Sequence, residues 1–298
     1  MSSFANLKRS SGSALEKLKK ATEAMNSSSY NDGEDKYWKC EVDKTGNGYA
    51  IIRFLPSPPQ DGDDGLPWVK YYDHGFQGPG GWYIEKSLTT LNKDDPVSQY
   101  NSELWNTGID ANKDVARKQK RRLHYVSNIQ VIKDPKHPEN EGKVFLFRYG
   151  KKIMEKITTA MNPQFEDDQP IDPFDLWSGA NFKLKIRKVD GYQNYDLSEF
   201  DSSSPLNDDD DELKKIWESQ HSLKEVVSES NFKSYDELKK KLEKVLGIAT
   251  TSAAKTNTVQ AVKTSNIEAE ERKLEETFTD TLESDDDLDY FRDLLTED

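Results

Sequence analysis

The charged residues of this chain are unevenly distributed, and this limits which part of it can fold around an apolar core. The segment from residue 265 to the end carries fourteen acidic and three basic residues, so it holds −11 of the formal net charge of −13 and leaves −2 for residues 1–264. The sequence therefore predicts four segments: a basic N-terminal arm at 1–34, a folded core at 35–247, a flexible linker at 248–266 and an acidic tail at 267–298.

Composition argues against several classes of protein. No apolar run approaches the ~20 residues that a membrane span needs, and the N-terminal residues lack the apolar stretch of a secretory signal. Cys40 is the one cysteine in the sequence, which excludes a disulfide framework and a cysteine-based metal site. We therefore expect a protein of a reducing cytoplasm that has no membrane partner, with Cys40 as a small buried apolar residue.

Apolar patterning and turn residues predict a core of mixed α and β structure. Segments 37–42 and 49–55 are expected to form two strands joined by a hairpin turn that contains glycine and asparagine. The clearest helix is 235–246, which begins with the capping-box pair Ser234 and Glu237. Further strands are predicted at 68–76, 82–85, 123–133 and 143–149, and further helices at 151–160 and from 212 into the 220s. The fold class is therefore α+β, with a small curved sheet or barrel at its centre and helices toward the C-terminal end of the core.

The predicted strand at 182–187 carries its cations on one face. Side chains alternate in a strand, so its three apolar residues point one way and its three cations point the other. Tyr192 and Tyr195 follow on a turn. An ordinary half-exposed strand has the same pattern, so this segment alone does not define a function. The cations are Lys183, Lys185 and Arg187.

Cations and aromatic residues also occur together elsewhere in the core. Phe145, Phe147 and Tyr149 share one face of a predicted strand, where stacked aromatic residues usually belong to a core. Rings beside lysine and arginine on several strands also suit single-stranded nucleic acid, because bases stack on flat rings while cations track the phosphates. No recognition helix of a duplex reader stands out. The basic cluster between the strands consists of Lys113, Arg117, Lys118, Lys120, Arg121 and Arg122, with Tyr125 behind it.

The acidic tail contains apolar residues at helical spacing. Leu288, Phe291 and Leu295 would line one face of a short helix, as in a peptide that folds into a partner's groove. The same tail also suits a polyanion mimic that occupies a basic groove, or a disordered solubilising segment. We favour the interaction role, for which the candidate residues are Asp287, Leu288, Asp289, Phe291, Leu294 and Leu295.

Two other functions remain open at this point. Asp134, Glu141 and Lys143 fit the Asp…Glu-x-Lys pattern of a metal-dependent nuclease, whose two carboxylates would hold Mg²⁺. Their separation is short, however, and the segment has the Pro, Asn and Gly content of a connector between two strands. A single-stranded RNA-binding regulator is the second alternative, because stacking and charge hardly separate RNA from DNA. We favour a binding protein that is not an enzyme.

Five motifs along the core are specific in both sequence and order. They lie at residues 46–56 (GNGYAIIRFLP), 128–135 (NIQVIKDP), 138–145 (PENEGKVF), 148–153 (RYGKKI) and 191–196 (GYQNYD). Together they resemble the T-even-type bacteriophage single-stranded DNA-binding proteins, the helix-destabilising proteins of phage replication. The resemblance extends over about residues 36–247.

This resemblance implies an OB-fold-like β-barrel core with an inserted subdomain at about 70–105. It also implies cooperative, sequence-independent binding of single strands during DNA replication, recombination and repair in the cytoplasm of the infected bacterial host. The basic arm, through Lys8 and Arg9, would dock on the neighbouring protomer along the strand, and the acidic tail would recruit phage replication and recombination proteins. The residues thus predicted to bind DNA are Trp105, Arg117, Lys120, Arg121, Arg122, Tyr125, Phe147, Lys185, Arg187, Tyr192 and Tyr195.

The chain departs from this family at a zinc site. The family's subdomain holds zinc through one histidine and three cysteines; here His74 is retained, but Ser87, Asp95 and Ser98 occupy the cysteine positions. Hydroxyls and one carboxylate do not replace thiolates in a tight structural zinc site. We therefore expect no cofactor, and a subdomain held by apolar contacts from Trp82, Tyr83, Leu88 and Val97.

Overall fold

The computed structural model describes residues 35–62, 64–165, 169–189 and 191–248. The predictions for the N-terminal arm, with Lys8 and Arg9, and for the acidic tail lie outside these residues. None of the helices in the described part of the chain combines the length and the apolar character that a bilayer crossing requires.

The described residues contain one connected sheet of nine strands. Its central strand, β5, pairs antiparallel with β2 and β3 and, over residues 125–130, with β6. The far edge of β2 pairs with β7, which continues the sheet to β8 and β9. The strands are β1 (Tyr37–Trp38), β2 (Gly48–Phe54), β3 (Val69–Gly78), β4 (Gly81–Lys86), β5 (Arg122–Lys133), β6 (Val144–Tyr149), β7 (Phe182–Val189), β8 (Tyr192–Asn194) and β9 (Glu199–Phe200).

The helices of the described residues lie between the strands and after them. The α-helices are α1 (Pro96–Asn106), α2 (Asp110–Lys118), α3 (Lys151–Met161), α4 (Asp210–Glu218), α5 (Leu223–Val226) and α6 (Tyr235–Leu246). Short 3₁₀ helices form at Pro59–Asp61, Leu88–Leu91, Pro138–Asn140 and Glu229–Asn231. The capping box predicted at Ser234 and Glu237 is present at the start of α6, which ends at Gly247. The α+β fold class is confirmed, whereas closure into an OB-like barrel stays a prediction.

One local prediction is wrong, and one helix was not predicted. The strands expected to form a hairpin around residues 44–48 do not pair with each other, because β1 lies parallel to β6 and β2 lies between β5 and β7. The helix at 96–106 is not among the helices predicted from the sequence. Asp95 accepts hydrogen bonds from the N–H groups of Val97 and Ser98, and Pro96 occupies the first turn, so the signal for this helix was present in the sequence.

The main apolar cluster lies between β2, β6, β7 and α3. Phe182, Leu184 and Ile186 are buried in it, so the alternation predicted for β7 is confirmed. Cys40 is also buried there, as predicted, and burial raises the pKa of its thiol to about 12. Phe54 lies at the centre of the cluster, with its ring centroid 5.7 Å from that of Phe174.

A second apolar cluster joins β3 and β4 to the C-terminal helix α6. Tyr83, Leu88 and Val97, all predicted as apolar contacts, pack in it against Leu238 and other α6 residues. The turn between β3 and β4 lies directly against the helix end, since the N–H of Gly80 donates to the carbonyl of Val245 at 2.8 Å. Residues separated by about half of the chain thus share one small core.

We expect Leu238→Ala to lower the free energy of unfolding by about 2–5 kcal/mol, because Leu238 is fully buried and truncation leaves a cavity. Chemical denaturation of the full chain measures this. Lys239→Ala on the exposed side of the same helix is the matched control, with an expected change of roughly 0.5 kcal/mol or less. Equal effects of the two substitutions would mean that α6 does not contribute to this core.

Candidate nucleic-acid interface

The pairing of β3 with β5 places Arg121 and Arg122, the last two residues of the basic cluster, on opposite faces of the sheet. Lys70 lies opposite Tyr125, and Tyr72 lies opposite Leu123. The guanidinium of Arg121 lies on the same side, 4.4 Å from the centroid of the Tyr72 ring. We call this surface the open face; it consists of Lys70, Tyr72, Arg121, Leu123 and Tyr125. All five are exposed or half-buried, whereas Tyr71, Asp73 and His124 on the opposite face are buried.

Arg122 faces away from the open face and is held in a buried ion cluster. Its Nε donates to Oδ1 of Asp73 at 2.9 Å, and Nε2 of His124 lies 3.1 Å from the same oxygen. Burial alone would raise the pKa of Asp73, but the hydrogen bonds and charges of His124 and Arg122 lower it to about 2. In this structure Arg122 therefore joins β5 to β3, which is a different role from the predicted phosphate contact.

The Asp73 cluster predicts a specific acid sensitivity. Because the pKa of Asp73 in the fold is below its ordinary value of 3.8, its carboxylate stabilises the fold at pH values above about 4, and this contribution is lost as the pH falls toward 2. The shift corresponds to about 2 kcal/mol. Urea denaturation of Asp73→Asn should show that this part of the pH dependence has disappeared and that the protein is less stable at pH 7.

Asp64→Asn is the matched control for this measurement, because Asp64 is exposed. Its pH profile should follow that of the wild type. A wild-type profile for Asp73→Asn as well would contradict the assignment of the ion cluster.

Three aromatic rings form a stacked column that runs from the main cluster to the open face. The rings of Phe147 and Tyr149 are 5.6 Å apart at 24°, and those of Tyr149 and Tyr125 are 5.8 Å apart at 18°. Tyr149 is fixed by a 2.9 Å hydrogen bond between its hydroxyl and that of Ser127. Phe147 is only 6% exposed, so it forms the inner end of the column and does not present a ring for a base to stack on. Tyr125, at the outer end, is half-buried.

A second group of cations and one aromatic ring lies on α1 and α2. The charged groups of Lys113 and Arg117 lie 5.5 and 5.4 Å from the centroid of the Trp105 ring. Arg117 is exposed and also pairs with Asp114 at 2.6 Å. Lys120, just after α2, is only 8% exposed. The structure therefore brings Trp105 and Arg117 together, as expected of a basic-aromatic surface.

The cations of β7 point away from the main cluster, as predicted, and two of them are already paired. Lys183 lies 2.6 Å from Asp201, and Lys185 lies 2.7 Å from Glu199. Arg187 is exposed, with its Nε 3.4 Å from the side-chain oxygen of Asn194. The two tyrosines that follow differ: Tyr192 is 45% exposed, and Tyr195 is half-buried, with its hydroxyl donating to Gln193 at 2.9 Å.

Sequence reasoning missed three residues of this region: Trp68, Lys70 and Tyr72. All three precede or belong to a strand that was predicted, and their spacing of two places them on one face. The signal was therefore present, but nothing in the sequence showed that this strand lies beside Tyr125.

The residues of the nuclease alternative have structural roles. Asp134 is 1% exposed; its Oδ2 accepts from the indole of Trp38 at 2.8 Å, and its Oδ1 accepts from the N–H groups of Lys136 and His137. Glu141 accepts the N–H of Asp134 at 3.0 Å. These carboxylates hold the connector between β5 and β6, and no group of three or more His, Cys, Asp or Glu suited to a metal occurs among the described residues.

The four positions of the implied zinc site lie close together, but their chemistry does not fit zinc. Nε2 of His74 lies 3.2 Å from Oδ1 of Asp95. The Asp95 carboxylate also accepts three backbone N–H groups, those of Leu88, Val97 and Ser98, each at 3.0 Å. A carboxylate so engaged, with two hydroxyls, offers no thiolate to the metal.

The His74 ring lies between two acceptors. Its Nδ1 is 2.9 Å from the carbonyl oxygen of Gln119, and its Nε2 faces Asp95. Burial alone would raise the pKa of Asp95, but His74 and the N–H groups of Ser98 and Leu88 lower it to about 2.

A sheet face that combines cations with accessible aromatic rings is typical of proteins that bind single-stranded nucleic acids. Comparison with known proteins gives the family. The family sequence model described as "gp32 DNA binding protein like" matches residues 46–246. The chain therefore belongs to the gp32-like DNA-binding protein family, which confirms the resemblance seen in its motifs.

Individual relatives agree with this assignment. Over 229 residues, which cover 74% of this chain and 74% of each relative, the chain is 43% identical to proteins named single-stranded DNA-binding protein from Enterobacteria phages T2 and T4. It is also 46% identical over 79 residues to a protein of the same name from Escherichia phage SV14, a match that covers 25% of this chain and 67% of that relative.

Proposed function

We propose that this protein binds single-stranded DNA cooperatively and without sequence preference in phage DNA replication, recombination and repair, and that it is not an enzyme. The observation that carries the proposal is the 43% identity, over 74% of the chain, to phage proteins named for this activity. The open face supports it independently, because its cations and rings are the groups that phosphates and unstacked bases require. The site of action is the cytoplasm of the infected host.

The open face and the group around Trp105 on α1 and α2 each provide a cation for phosphates and a ring for bases. Arg121 and Arg117 contact phosphates, while Tyr125 and Trp105 stack on bases. Lys120 and Arg122 are more enclosed, so their main effect is to position this segment. On β7 and β8, Arg187 and Tyr192 are accessible without rearrangement. Lys185 releases its ion-pair partner Glu199 when it binds a phosphate. Tyr195 adds a half-buried ring beside them.

The segments beyond the core extend this proposal. The arm at 1–34, through Lys8 and Arg9, contacts the next protomer on the strand, and the linker at 248–266 joins the core to the tail at 267–298, which recruits replication and recombination proteins. The core at 35–247 is an OB-like barrel with an inserted subdomain at about 70–105. The charge difference between arm and tail supports these assignments.

The salt dependence of binding provides the first test. Fluorescence anisotropy of a labelled oligonucleotide should show that log Kobs falls with log salt by about 0.7 for each phosphate neutralised. Arg121→Gln should reduce that slope by about 0.7 and weaken binding at low salt. Lys239→Gln, an exposed position on α6, is the control and should retain the wild-type slope. Failure of the wild type to bind single strands at low salt contradicts the proposal.

The same assay separates the remaining alternatives. A 1–264 truncation should bind at least as well as the full chain, and deletion of residues 1–26 should remove cooperativity while short oligonucleotides still bind. Cleavage of labelled strands with Mg²⁺ would favour the nuclease that uses Asp134, Glu141 and Lys143, and tighter binding of RNA in competition would favour the RNA regulator.

We also propose that the fold is independent of zinc, with Asp95 and its four partners in place of the metal. Elemental analysis should find no stoichiometric zinc, and a chelator should leave the melting temperature unchanged. Asp95→Asn should destabilise the protein by about 2 kcal/mol, whereas Asp94→Asn, at the exposed neighbour, should not.

The combined substitutions Ser87→Cys, Asp95→Cys and Ser98→Cys should create a zinc site with His74 and make stability sensitive to chelators. Stoichiometric zinc in the natural chain would sink the claim.

A further inference from the structure

An open cavity of about 470 Å³ adjoins the open face. This volume is within the range of small-molecule sites, roughly 300–1,000 Å³. Trp68, Lys70 and Tyr125 are among its lining residues, and most of the remaining wall is apolar, formed by Leu66, Leu91 and Met154 among others.

The aromatic column ends at this cavity. Tyr125 is its outermost ring and lines the cavity, while Tyr149 and Phe147 support it from within the main cluster. A flat ligand that stacks on Tyr125 would therefore rest on a ring that packing already holds in place. Little side-chain entropy is lost when such a ring is used for binding.

Trp68 provides a second flat group at the cavity. Its ring packs on that of Phe174, with centroids 5.3 Å apart at 36°, so its orientation is also set by the main cluster. Trp68 is half-buried and precedes β3, two residues before Lys70. The cavity thus has aromatic side chains from two separate segments, 68 and 125.

Lys70 gives the cavity a positive charge that is not neutralised nearby. It lies directly opposite Tyr125 in the β3–β5 pairing and is exposed, and its ammonium group has no hydrogen bond or ion pair to another described residue. Lys183 and Lys185 on β7, by contrast, both pair with carboxylates. None of the described residues that line the cavity is acidic, so the cavity wall holds no described carboxylate that would repel an anion beside Lys70.

We propose that this cavity is a slot for one unstacked nucleobase of a bound single strand, with Lys70 on an adjoining phosphate and Trp68 and Tyr125 on the base. The proposal rests on the proposed function and adds two binding residues, Trp68 and Lys70, to it. Rings and an apolar wall accept any base, since every base has a flat face, and this fits binding without sequence preference. Reading a base edge would require several polar side chains, whereas Thr90 is the one uncharged polar side chain without a ring among the described lining residues.

The test compares Lys70→Gln and Trp68→Leu with Lys239→Gln in the full chain. Lys70→Gln should lower the salt slope by about 0.7, one phosphate contact. Trp68→Leu should weaken binding ~5- to ~140-fold with the slope unchanged, which is about 1–3 kcal/mol for one stacked base at ~1.4 kcal/mol per tenfold. Thermal melting confirms that each variant is folded, and Lys70→Gln, at an exposed position, keeps the test decisive if Trp68→Leu is unstable.

The outcomes separate the slot from the general function. If the wild type binds single strands and both variants match it in affinity and salt slope, the slot is refuted while the proposed function stands. If the wild type itself does not bind, both are refuted. An oligonucleotide that carries a fluorescent base analogue adds a direct reading: its emission should be quenched by the wild type and less so by Trp68→Leu.

Discussion

Strand β5 pairs with β2 and β3 along one edge and with β6 along the other, and the placement of every residue on the open face depends on the register of these pairs. Side chains alternate along a strand, so a slip of one residue would turn Arg121 and Tyr125 to the buried side and expose Arg122 and His124. The ion cluster at Asp73 opposes such a slip, because it joins Arg122 and His124 to one specific residue of β3. The same register brings Tyr125 beside Tyr149 and Lys70.

The residues around His74 show how one buried carboxylate can organise a polar region of the fold. In this chain Asp95 gathers three N–H groups and faces His74, so a negative group occupies the centre where the family resemblance implies a cation. Since Nδ1 of His74 also contacts the carbonyl of Gln119, this arrangement fixes the chain just before Lys120 and Arg121.

Local patterns were sufficient to predict some of the structure and insufficient for the rest. The faces of β7 and the capping box of α6 depend on neighbours within a few residues, and both were predicted correctly. The hairpin between 37–42 and 49–55 failed because partner choice is set by distant strands. Consecutive residues Arg121 and Arg122 looked equivalent in the sequence, and only the β3–β5 register separates their roles. Phe147 was ambiguous because aromatic residues on a strand suit both a core and a binding face, and only the fold places it in the main cluster.

The contact between α6 and the β3–β4 hairpin also bears on the order in which the chain acquires its structure during synthesis. Phe76, Tyr83, Leu88 and Val97 obtain the part of their apolar core that comes from Leu238, Leu242 and Val245 only when α6 is present. At roughly 5–20 residues per second, the ribosome needs on the order of 7–30 s to add the intervening residues. During that interval the side of this hairpin that α6 covers lacks its partner helix, so this core is completed only with the C-terminal end of the folded segment.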